Sequence, residues 1–589
     1  MLSNTILLHP ASYFIIGAIL LPLFSRVKIA QKVILLAVPL LAFWQIHYLP
    51  ESFGICHFMG FELTFGRVDK LTYVFLHVFT LMALIGAVYC LHVKETGHHI
   101  AAFLYVAGSL GTTLAGDYLT IFIFWELMAF ASVFLIWYRK KKRSIEAGYR
   151  YLLVHTLGGL ILLAGIFLRY QNCHDLTFTR ILAEGATTAD YLIMIGFMLN
   201  AAVPPIHAWL PDAYPEATVA GAVFMCAFTT KTAVYVLARG FPGFEMLAIM
   251  GAIMTLYGVG YAVIENDARR ILAYHIVSQV GYMVCGIGIG TALAVNGACA
   301  HAYAHILYKA LLFMGVGAVL EMTGKSKLNE LGGLYKTMPV ALFFTVIGGI
   351  AISGFPLTSG FISKSMIIAG AGEHHRVVLM LMLSLAAVGT FLSVGIKLPY
   401  FIWFGKDSGV RAKEAPWNMN VAMAGAAFMC IFLGIYPEYL YRMLPFACDY
   451  HPYTAYHVSE TLQILGFTGL GFYLMVKYLH PEPKSNLDVD WFYRKGALAF
   501  MWVACKPISI ANDWVGEVYR TVGLRFTMLV AKALSWFDWE GIDWAVDNSA
   551  KGVVEGGDKM RALQTGKIQQ YIGGAVAALM IVLLVVVFL

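Results

Sequence analysis

Residues 301–320 read HAYAHILYKALLFMGVGAVL, an apolar segment that carries three ionisable side chains, His301, His305 and Lys309. Because an α-helix repeats every 3.6 residues, steps of four place all three on one helix face. About twenty predominantly apolar residues are enough to cross the hydrocarbon core of a bilayer. Ionisable groups are costly at that depth, so such a row usually lines an ion or proton path rather than facing lipid.

The composition of the whole chain is that of a polytopic membrane protein. Hydrophobic residues make up 60% of the 589 residues, charged residues 13%, and the mean hydropathy is +0.72. The beginning, MLSNTILLHPASYF, lacks the basic region of a cleavable signal, so we expect the first apolar stretch to remain as a span. The net charge of +7 resides in basic loops and requires no nucleic-acid partner.

Windows of about twenty apolar residues predict sixteen spans, numbered 1 to 16 in chain order. They are 5–25, 30–49, 71–93, 98–116, 117–138, 147–168, 189–210, 216–240, 244–264, 268–290, 293–321, 340–371, 378–405, 417–441, 458–479 and 568–589. Spans 7 and 12 are interrupted at Pro204-Pro205 and at Gly354-Phe355-Pro356, where backbone groups lose their helical partners. Two broken helices five spans apart predict two five-helix repeats related by inversion, a plan that many ion transporters share.

The predicted fold is therefore an all-α polytopic membrane protein with six parts. These are spans 1 to 3 at 1–93, the two repeats at 98–240 and 244–405, spans 14 and 15 at 417–479, a lateral segment at 480–567, and a final anchoring helix at 568–589. Basic residues collect in the loops after odd-numbered spans, as in the RKKKR run at 139–143. The positive-inside rule makes those loops cytoplasmic and places both termini outside.

The lateral segment alternates apolar and charged residues and does not fit a span. It holds six of the chain's twelve tryptophans. Stretches rich in tryptophan and basic residues bury one face in the headgroup region or against neighbouring helices. We expect an amphipathic element along the cytoplasmic face, with a peripheral soluble tail as the alternative. Pro507 and several glycines predict several short helices rather than one long one.

Ionisable residues in other spans are further candidates for the path. Glu126 lies near the middle of span 5, where a carboxylate is either neutral or ionised beside a cation, whether in a proton path or in a fixed ion pair. Lys231 in span 8 is deep enough for desolvation to disfavour its charge, although snorkelling is an alternative. Lys364 follows the break of span 12, where freed carbonyls and water can coexist. Weaker candidates are His155 in span 6, His207 after the break of span 7, and Lys397 in span 13, which suits anchoring equally well.

The sequence predicts no metal and no cofactor. The nine cysteines show neither a CxxC motif nor Cys/His metal spacing, so zinc and iron–sulfur clusters are not indicated, and no nucleotide or flavin motif occurs. Cys56, Cys173 and Cys448 fall in loops placed on one side, which leaves a disulfide or free thiols as alternatives. Without a redox centre of its own, the chain would need an energy source from a partner or an ion gradient to pump uphill.

Four strings carry a resemblance to a known family: WLPDAYPEA, DARRILAYHIVSQVGYM, HAYAHILYKALLF, and LGGLYKTMP leading into GFPLTSGFISK. With them, residues 60–440 resemble the antiporter-like subunits of respiratory complex I, of Mrp-type sodium/proton antiporters and of membrane-bound hydrogenases. The resemblance implies that the proton pathway uses a carboxylate of the fifth helix, a central lysine of the eighth, the relay of the eleventh, and a terminal lysine of the twelfth. Those residues are Glu126, Lys231, His301, His305, Lys309 and Lys364.

Asn200 departs from the family pattern. Family members usually carry a lysine just before the break of the seventh helix, and asparagine cannot change its charge. Glu126 therefore lacks its usual cation. Either His155 or Lys231 takes over as its partner, or the first half-channel is degraded while the second still works.

The resemblance implies a proton-translocating, cation/proton antiporter-type subunit of a larger assembly in a prokaryotic inner membrane. Its partners would be other integral membrane subunits, lipid, and protons with or without sodium or potassium. The tail resembles that of the longest complex I subunit, in which a lateral helix braces its neighbours. Two alternatives are a scaffold subunit with an inactive channel and a membrane partner in proton-driven inorganic-carbon uptake.

Overall fold

The computed structural model describes residues 9–482 and 486–588. The chain divides into two compact units, Met1–Asp490 and Trp491–Leu589. The helices of the first unit are α1 (Pro10–Leu23), α2 (Lys28–Gln45), α3 (Lys70–Tyr89), α4 (Thr96–Leu114), α5 (Tyr118–Trp137), α6 (Lys142–Cys173), α7 (Thr188–Asn200), α8 (Trp209–Ala213), α9 (Val219–Met225), α10 (Thr229–Gly240), α11 (Glu245–Ile264), α12 (Ala268–Ile289), α13 (Ala292–Thr323), α14 (Pro339–Ser353), α15 (Ser359–Glu373), α16 (Val377–Thr390), α17 (Trp417–Ile435), α18 (Glu438–Tyr441) and α19 (Ala455–Met475).

The membrane-protein prediction is confirmed at the level of helices. Within the described residues, eleven helical segments are long and apolar enough to cross a membrane, and α1, α7 and α14 are shorter apolar helices. Each of the sixteen predicted spans overlaps at least one helix. The exact number of spans and the inversion of the repeats stay predictions.

Both predicted breaks are present. Helix α7 ends at Asn200, and α8 begins at Trp209 after a cis Pro204–Pro205 bond. Helix α14 ends at Ser353, where Gly354 adopts a left-handed φ of 77° before α15 begins. Glycine at that position reverses the chain without a Cβ penalty.

A third break, which the sequence analysis did not predict, divides span 8 between α9 and α10. No proline or glycine lies there. Instead, the backbone N–H of Thr229 donates to the hydroxyl of Tyr105 on α4 at 2.9 Å, so a tertiary contact replaces a helical one. In span 13, the helix continues beyond α16 as π-helical turns at 391–397 and 400–404, on either side of Pro399, which lacks an N–H.

A β-hairpin corrects the expectation of a purely helical chain. Strands β1 (Ser52–Phe58) and β2 (Phe61–Arg67) pair antiparallel between α2 and α3. The connecting residues Met59 and Gly60 have φ values of 51° and 85°, as a type I′ turn requires. The alternation of apolar and polar residues around this turn was a usable signal in a stretch that the analysis treated as a loop.

The second unit corrects the prediction of several short helices. Helices α20 (Asp490–Val503), α21 (Ser509–Val518), α22 (Arg525–Trp536) and α23 (Trp544–Ala562) follow one another without leaving the helical region of φ and ψ. The turns between them, 504–508, 519–524 and 537–543, are π-helical and contain Pro507, Gly523 and Gly541. The wider turns therefore absorb the residues that were expected to break the helix. Helix α24 (Ile568–Phe588) coincides with span 16.

Helix α13 lies at the centre of the first unit. It packs against α3, α9, α10, α12, α14, α15 and α17. This position withdraws its polar face from lipid and surrounds it with other helices. All nine cysteines lie in the described part of the chain, and each is a free thiol, including Cys56, Cys173 and Cys448.

Candidate ion-translocation site

The polar row on α13 faces protein, as its spacing predicts. His301, His305 and Lys309 are all fully buried, and the rings of the two histidines lie 6.2 Å apart between centroids. Their helix is enclosed by neighbours, so the row is a feature of the protein interior. Burying three ionisable groups lowers the stability of the fold, which favours a functional reason for their presence.

The two histidines differ in their hydrogen bonding. His301 Nδ1 lies 2.9 Å from Ser363 Oγ on α15, and its Nε2 lies 3.3 Å from the hydroxyl of Tyr308. Among the residues that the structure describes, His305 has no hydrogen-bond partner at either ring nitrogen, and its ring contacts that of Tyr308 at 5.2 Å. A buried imidazole with two unpartnered nitrogens is suited to exchanging protons with a mobile group.

Three lysines lie within electrostatic reach of His305: Lys309 on its own helix, Lys231 on α10 and Lys364 on α15. Lys309 Nζ donates to the carbonyl of Leu272 on α12 at 3.2 Å. Lys231 Nζ donates to the carbonyl of Cys226 at 2.6 Å. The break between α9 and α10 therefore supplies an acceptor for the central lysine.

Lys364 closes the array on the α15 side. Its Nζ donates to the carbonyl of Ile352, which the end of α14 leaves without a helical partner, and lies 5.3 Å from the centroid of the Tyr282 ring. Tyr282 also contacts the ring of His301, at 5.7 Å. Lys231, Lys309, the two histidines and Lys364 thus form one buried array, and their role in a proton path stays a prediction.

The sequence analysis missed His275 on α12. It is fully buried, its Nε2 lies 2.6 Å from Ser393 Oγ, and its Nδ1 has no partner. Lys309 and Lys364 both act on it electrostatically. A signal was available, because His275 is an ionisable residue within predicted span 10.

Glu126 stands apart from this array. It lies on α5, is partly exposed, and has a buried Oε1 without a hydrogen-bond partner. In the described ranges no ion pair involves Glu126. A Cβ at Gly159 on α6 would lie only 1.9 Å from Oε1, so α6 covers the carboxylate closely.

Asn200 is paired with His155 rather than with Glu126. Asn200 Oδ1 lies 2.8 Å from His155 Nδ1, and the His155 ring packs against Tyr151 and Trp209 at 4.1 and 4.5 Å. Among the described residues, neither His155 nor Lys231, the substitute cations proposed for Glu126, forms a hydrogen bond or ion pair with it. The position at which the resemblance implies a lysine is occupied by an amide that contacts His155.

His207 and Lys397 each contact residues near the end of α11 or the segment docked against it. His207 is fully buried, and its Nε2 is 3.4 Å from a carboxylate oxygen of Asp488, which the sequence analysis did not single out. Lys397 Nζ donates to the carbonyls of Val263 and Glu265, each at 2.7 Å, at the end of α11. Among the described residues, no group of His, Cys, Asp and Glu is arranged to hold a metal ion.

Residues 115–390 match the family model described as the membrane segment of NADH:quinone oxidoreductase and Mrp antiporters. One subunit of the NADH-quinone oxidoreductase of Desulforudis audaxviator is 31% identical over 380 residues, which are 59% of this chain and 75% of that protein. The chain belongs to this family. One subunit of the Na(+)/H(+) antiporter of Alkalihalophilus pseudofirmus is 28% identical over 358 residues, 58% of this chain and 73% of the relative.

Solved structures of the antiporter family show the same fold. A chain of the Mrp complex from Dietzia sp. DQ12-45-1b superposes with a TM-score of 0.66 at 20% identity, covering 80% of this chain and 99% of that one. The resemblance drawn from the four sequence strings is confirmed. The roles of individual residues rest on the geometry described above and stay predictions.

Proposed function

We propose that this chain is a proton-translocating membrane subunit, of the cation/proton antiporter type, in a multisubunit complex. The observation that carries the proposal is the single buried array of Lys231, His305, Lys309, His301 and Lys364. Its members are joined by ring contacts, by shared tyrosines and by electrostatic reach, and all are buried. Its members come from three helices, so their order along a path is set by the tertiary fold.

In this proposal, Lys231 and Lys309 hold protons on either side of His305, which transfers them because its ring nitrogens are unpartnered. His301 passes protons toward the Lys364 end, where Ser363 and Tyr308 orient its ring. Moving one charge through 100 mV costs about 2.3 kcal/mol. The energy comes from a redox partner or from an opposing ion gradient.

The experiment is proton transport by the purified complex in vesicles. Lys309→Ala and Lys364→Ala should each lower the rate at least about tenfold, and Lys231→Ala should do the same, because each interrupts the array. Lys551→Ala is the matched control, since Lys551 is an exposed lysine on α23. If the three array variants transport as fast as the Lys551 control, the array does not carry protons.

A scaffold role is the second candidate, and two observations favour it. Within the described part of the chain, Glu126 has no cation partner, and no residue of the second unit is buried although that unit carries six tryptophans. Removal of residues 491–589 should then dissociate the complex in native mass spectrometry, whereas Lys309→Ala should leave its activity intact. Loss of activity in Lys309→Ala with an intact complex would reject an inactive channel.

We further propose that the face carrying the basic loops is cytoplasmic in a prokaryotic inner membrane, with both termini outside. Contacts gather these loops together: Arg269 donates to the carbonyls of Tyr214, Ala217 and Thr218, and Arg139 pairs with Glu216. The exposed thiols of Cys173 and Cys505 provide the test. A membrane-impermeant maleimide added to intact cells should label a Cys505→Ser variant through Cys173, and labelling of Cys505 in a Cys173→Ser variant would contradict the orientation.

A further inference from the structure

The segment at 486–490, which precedes the second unit, inserts a carboxylate into the first unit. Asp488 is only 5% exposed. Its Oδ2 accepts a hydrogen bond from Tyr274 at 2.7 Å, its Oδ1 accepts one from Tyr257, and His207 Nε2 lies 3.4 Å from Oδ1. The carboxylate therefore has a built site of three polar groups.

The three groups come from three separate elements. His207 lies in the break between α7 and α8, Tyr257 on α11 and Tyr274 on α12. The site thus connects the broken helix of the first predicted repeat with the first two helices of the second. Both repeats would respond to a change in the charge at this point.

Backbone and side-chain contacts fix the inserted segment on either side of Asp488. The Tyr261 hydroxyl donates to the carbonyl of Leu487 at 3.0 Å, and Asn486 Nδ2 donates to the carbonyl of Ile264 at 3.3 Å. Upstream, Asn266 Nδ2 donates to the carbonyl of Glu482 at 2.7 Å. Asp488 is therefore held in place by the end of α11 rather than by its own charge alone.

The electrostatics of the site favour an ionised Asp488 beside His207. Burial opposes the charge of the carboxylate, but the hydrogen bonds and the charge of His207 outweigh it and hold the pKa of Asp488 well below its usual range. Other charged and titratable groups at this end include Tyr261, Glu265, Arg270 and Lys397. Arg270 is occupied by Glu265 at 3.3 Å, and Lys397 by two backbone carbonyls.

We propose that Asp488 and His207 form an additional proton-transfer pair, located at the break of the seventh span and supplied by the segment that leads into the lateral helix. One proton moves from His207 Nε2 to Asp488 Oδ1, which converts imidazolium and carboxylate into neutral imidazole and carboxylic acid, and the reverse step restores the ion pair. His207 Nδ1 has no hydrogen-bond partner among the described residues and is the atom at which the next proton is exchanged.

The inference deepens the proposed function and rests on it. Because the carboxylate comes from the segment 486–490, which α11 and α12 hold, undocking of that segment would remove the acceptor from His207. Proton movement at the first predicted repeat would then depend on the docking of 486–490. No such dependence follows from the α13 array alone.

Transport by the complex in vesicles is the first test. Asp488→Asn keeps a hydrogen-bond acceptor for one of the two tyrosines but cannot accept a proton, and should lower the rate at least about tenfold. His207→Gln should match it, and the double variant should lose no more than either single one, because the residues act as a unit. Asp547→Asn is the control, since Asp547 is an exposed aspartate on α23. If Asp488→Asn transports protons at the rate of the control while Lys309→Ala is impaired, the proposed Asp488–His207 pair is wrong but the proposed function still holds.

Infrared difference spectroscopy of the complex during a pH titration is the second test and does not require transport. A carboxyl band that disappears in Asp488→Asn and shifts in His207→Gln is the expected result. Absence of any band sensitive to both substitutions would overturn the inference even if the wild-type complex does not transport. Asp488→Glu, which keeps the charge, distinguishes loss of the proton site from a general failure to fold.

Discussion

Replacement of Gly159 by alanine should disable Glu126 without unfolding the protein. The new Cβ would lie 1.9 Å from Glu126 Oε1, whereas ordinary van der Waals contact begins at 3.4 Å, so the carboxylate must move by about 1.5 Å. The clash involves the end of a flexible side chain, and alanine is favoured over glycine inside a helix by about 1 kcal/mol. The free energy of unfolding should therefore change by less than about 1 kcal/mol.

The displacement matters only if Glu126 handles protons from a defined position. A misplacement of about 1 Å can cost about 100-fold in a positioned reaction, so a loss of at least about tenfold in proton transport is expected. The assay is the vesicle transport measurement combined with thermal unfolding in detergent. Glu126→Gln gives the loss expected when the carboxylate is removed altogether.

Gly158→Ala is the matched control on the same helix. Its Cβ would meet the side chain of Leu199 at 3.0 Å and would leave Glu126 untouched. If Glu126→Gln abolishes transport but Gly159→Ala behaves like Gly158→Ala, the argument from position is wrong. If none of the three substitutions affects transport, Glu126 is outside the pathway and the first half-channel is inactive.

Three further predictions concern single contacts. Asp69 caps α3 and pairs with Arg239. Burial opposes the charge of Asp69, but its contacts with Arg239 lower its pKa from 3.8 to about 2. The stability that this ion pair contributes is therefore present above about pH 4 and is lost as the pH falls toward about 2. Asp69→Asn, which can still cap the helix, should cost up to about 1 kcal/mol and flatten that acid dependence in unfolding measurements. Lys397→Met should leave two carbonyls unpaired and lower the free energy of unfolding by about 1–3 kcal/mol. Transport per folded complex should stay within about twofold of wild type. A selective loss of transport would instead make Lys397 part of the proton path. Ser363→Ala removes the partner of His301 Nδ1 and should slow transport by about tenfold at unchanged melting temperature; an unchanged rate would exclude that hydrogen bond from proton transfer.

What could be predicted from the sequence was set by local chemistry. Pro204-Pro205 and Gly354 interrupt their helices because these residues cannot continue a regular helix, whatever surrounds them. The break at 226–228 has no such residue and depends on the Tyr105 hydroxyl of a distant helix. The π turns of the lateral helix likewise show that Pro507 can be accommodated without ending a helix.

The site was predictable in part for the same reason. The row on α13 follows from spacing alone, and burial of all three members agrees with it. Asp488 was missed because the sequence analysis placed it in an amphipathic connector, where a charged residue is expected to be solvated. Only the docking of 486–490 on α11 and α12 turns it into a buried carboxylate.

The behaviour of the buried array around α13 depends on the lysines that it contains and on the absence of carboxylates among the described groups that act on Lys309. Within the described ranges, the lysines that act on Lys309 are Lys231 and Lys364, and no carboxylate is among the groups that act on it. Repulsion from Lys231 and Lys364 favours release of a proton from Lys309. In the proposed pathway, this repulsion would help to move protons along the array. Neutralising Lys364 would then do more than remove the last site, because it would also remove the charge that drives a proton away from that end.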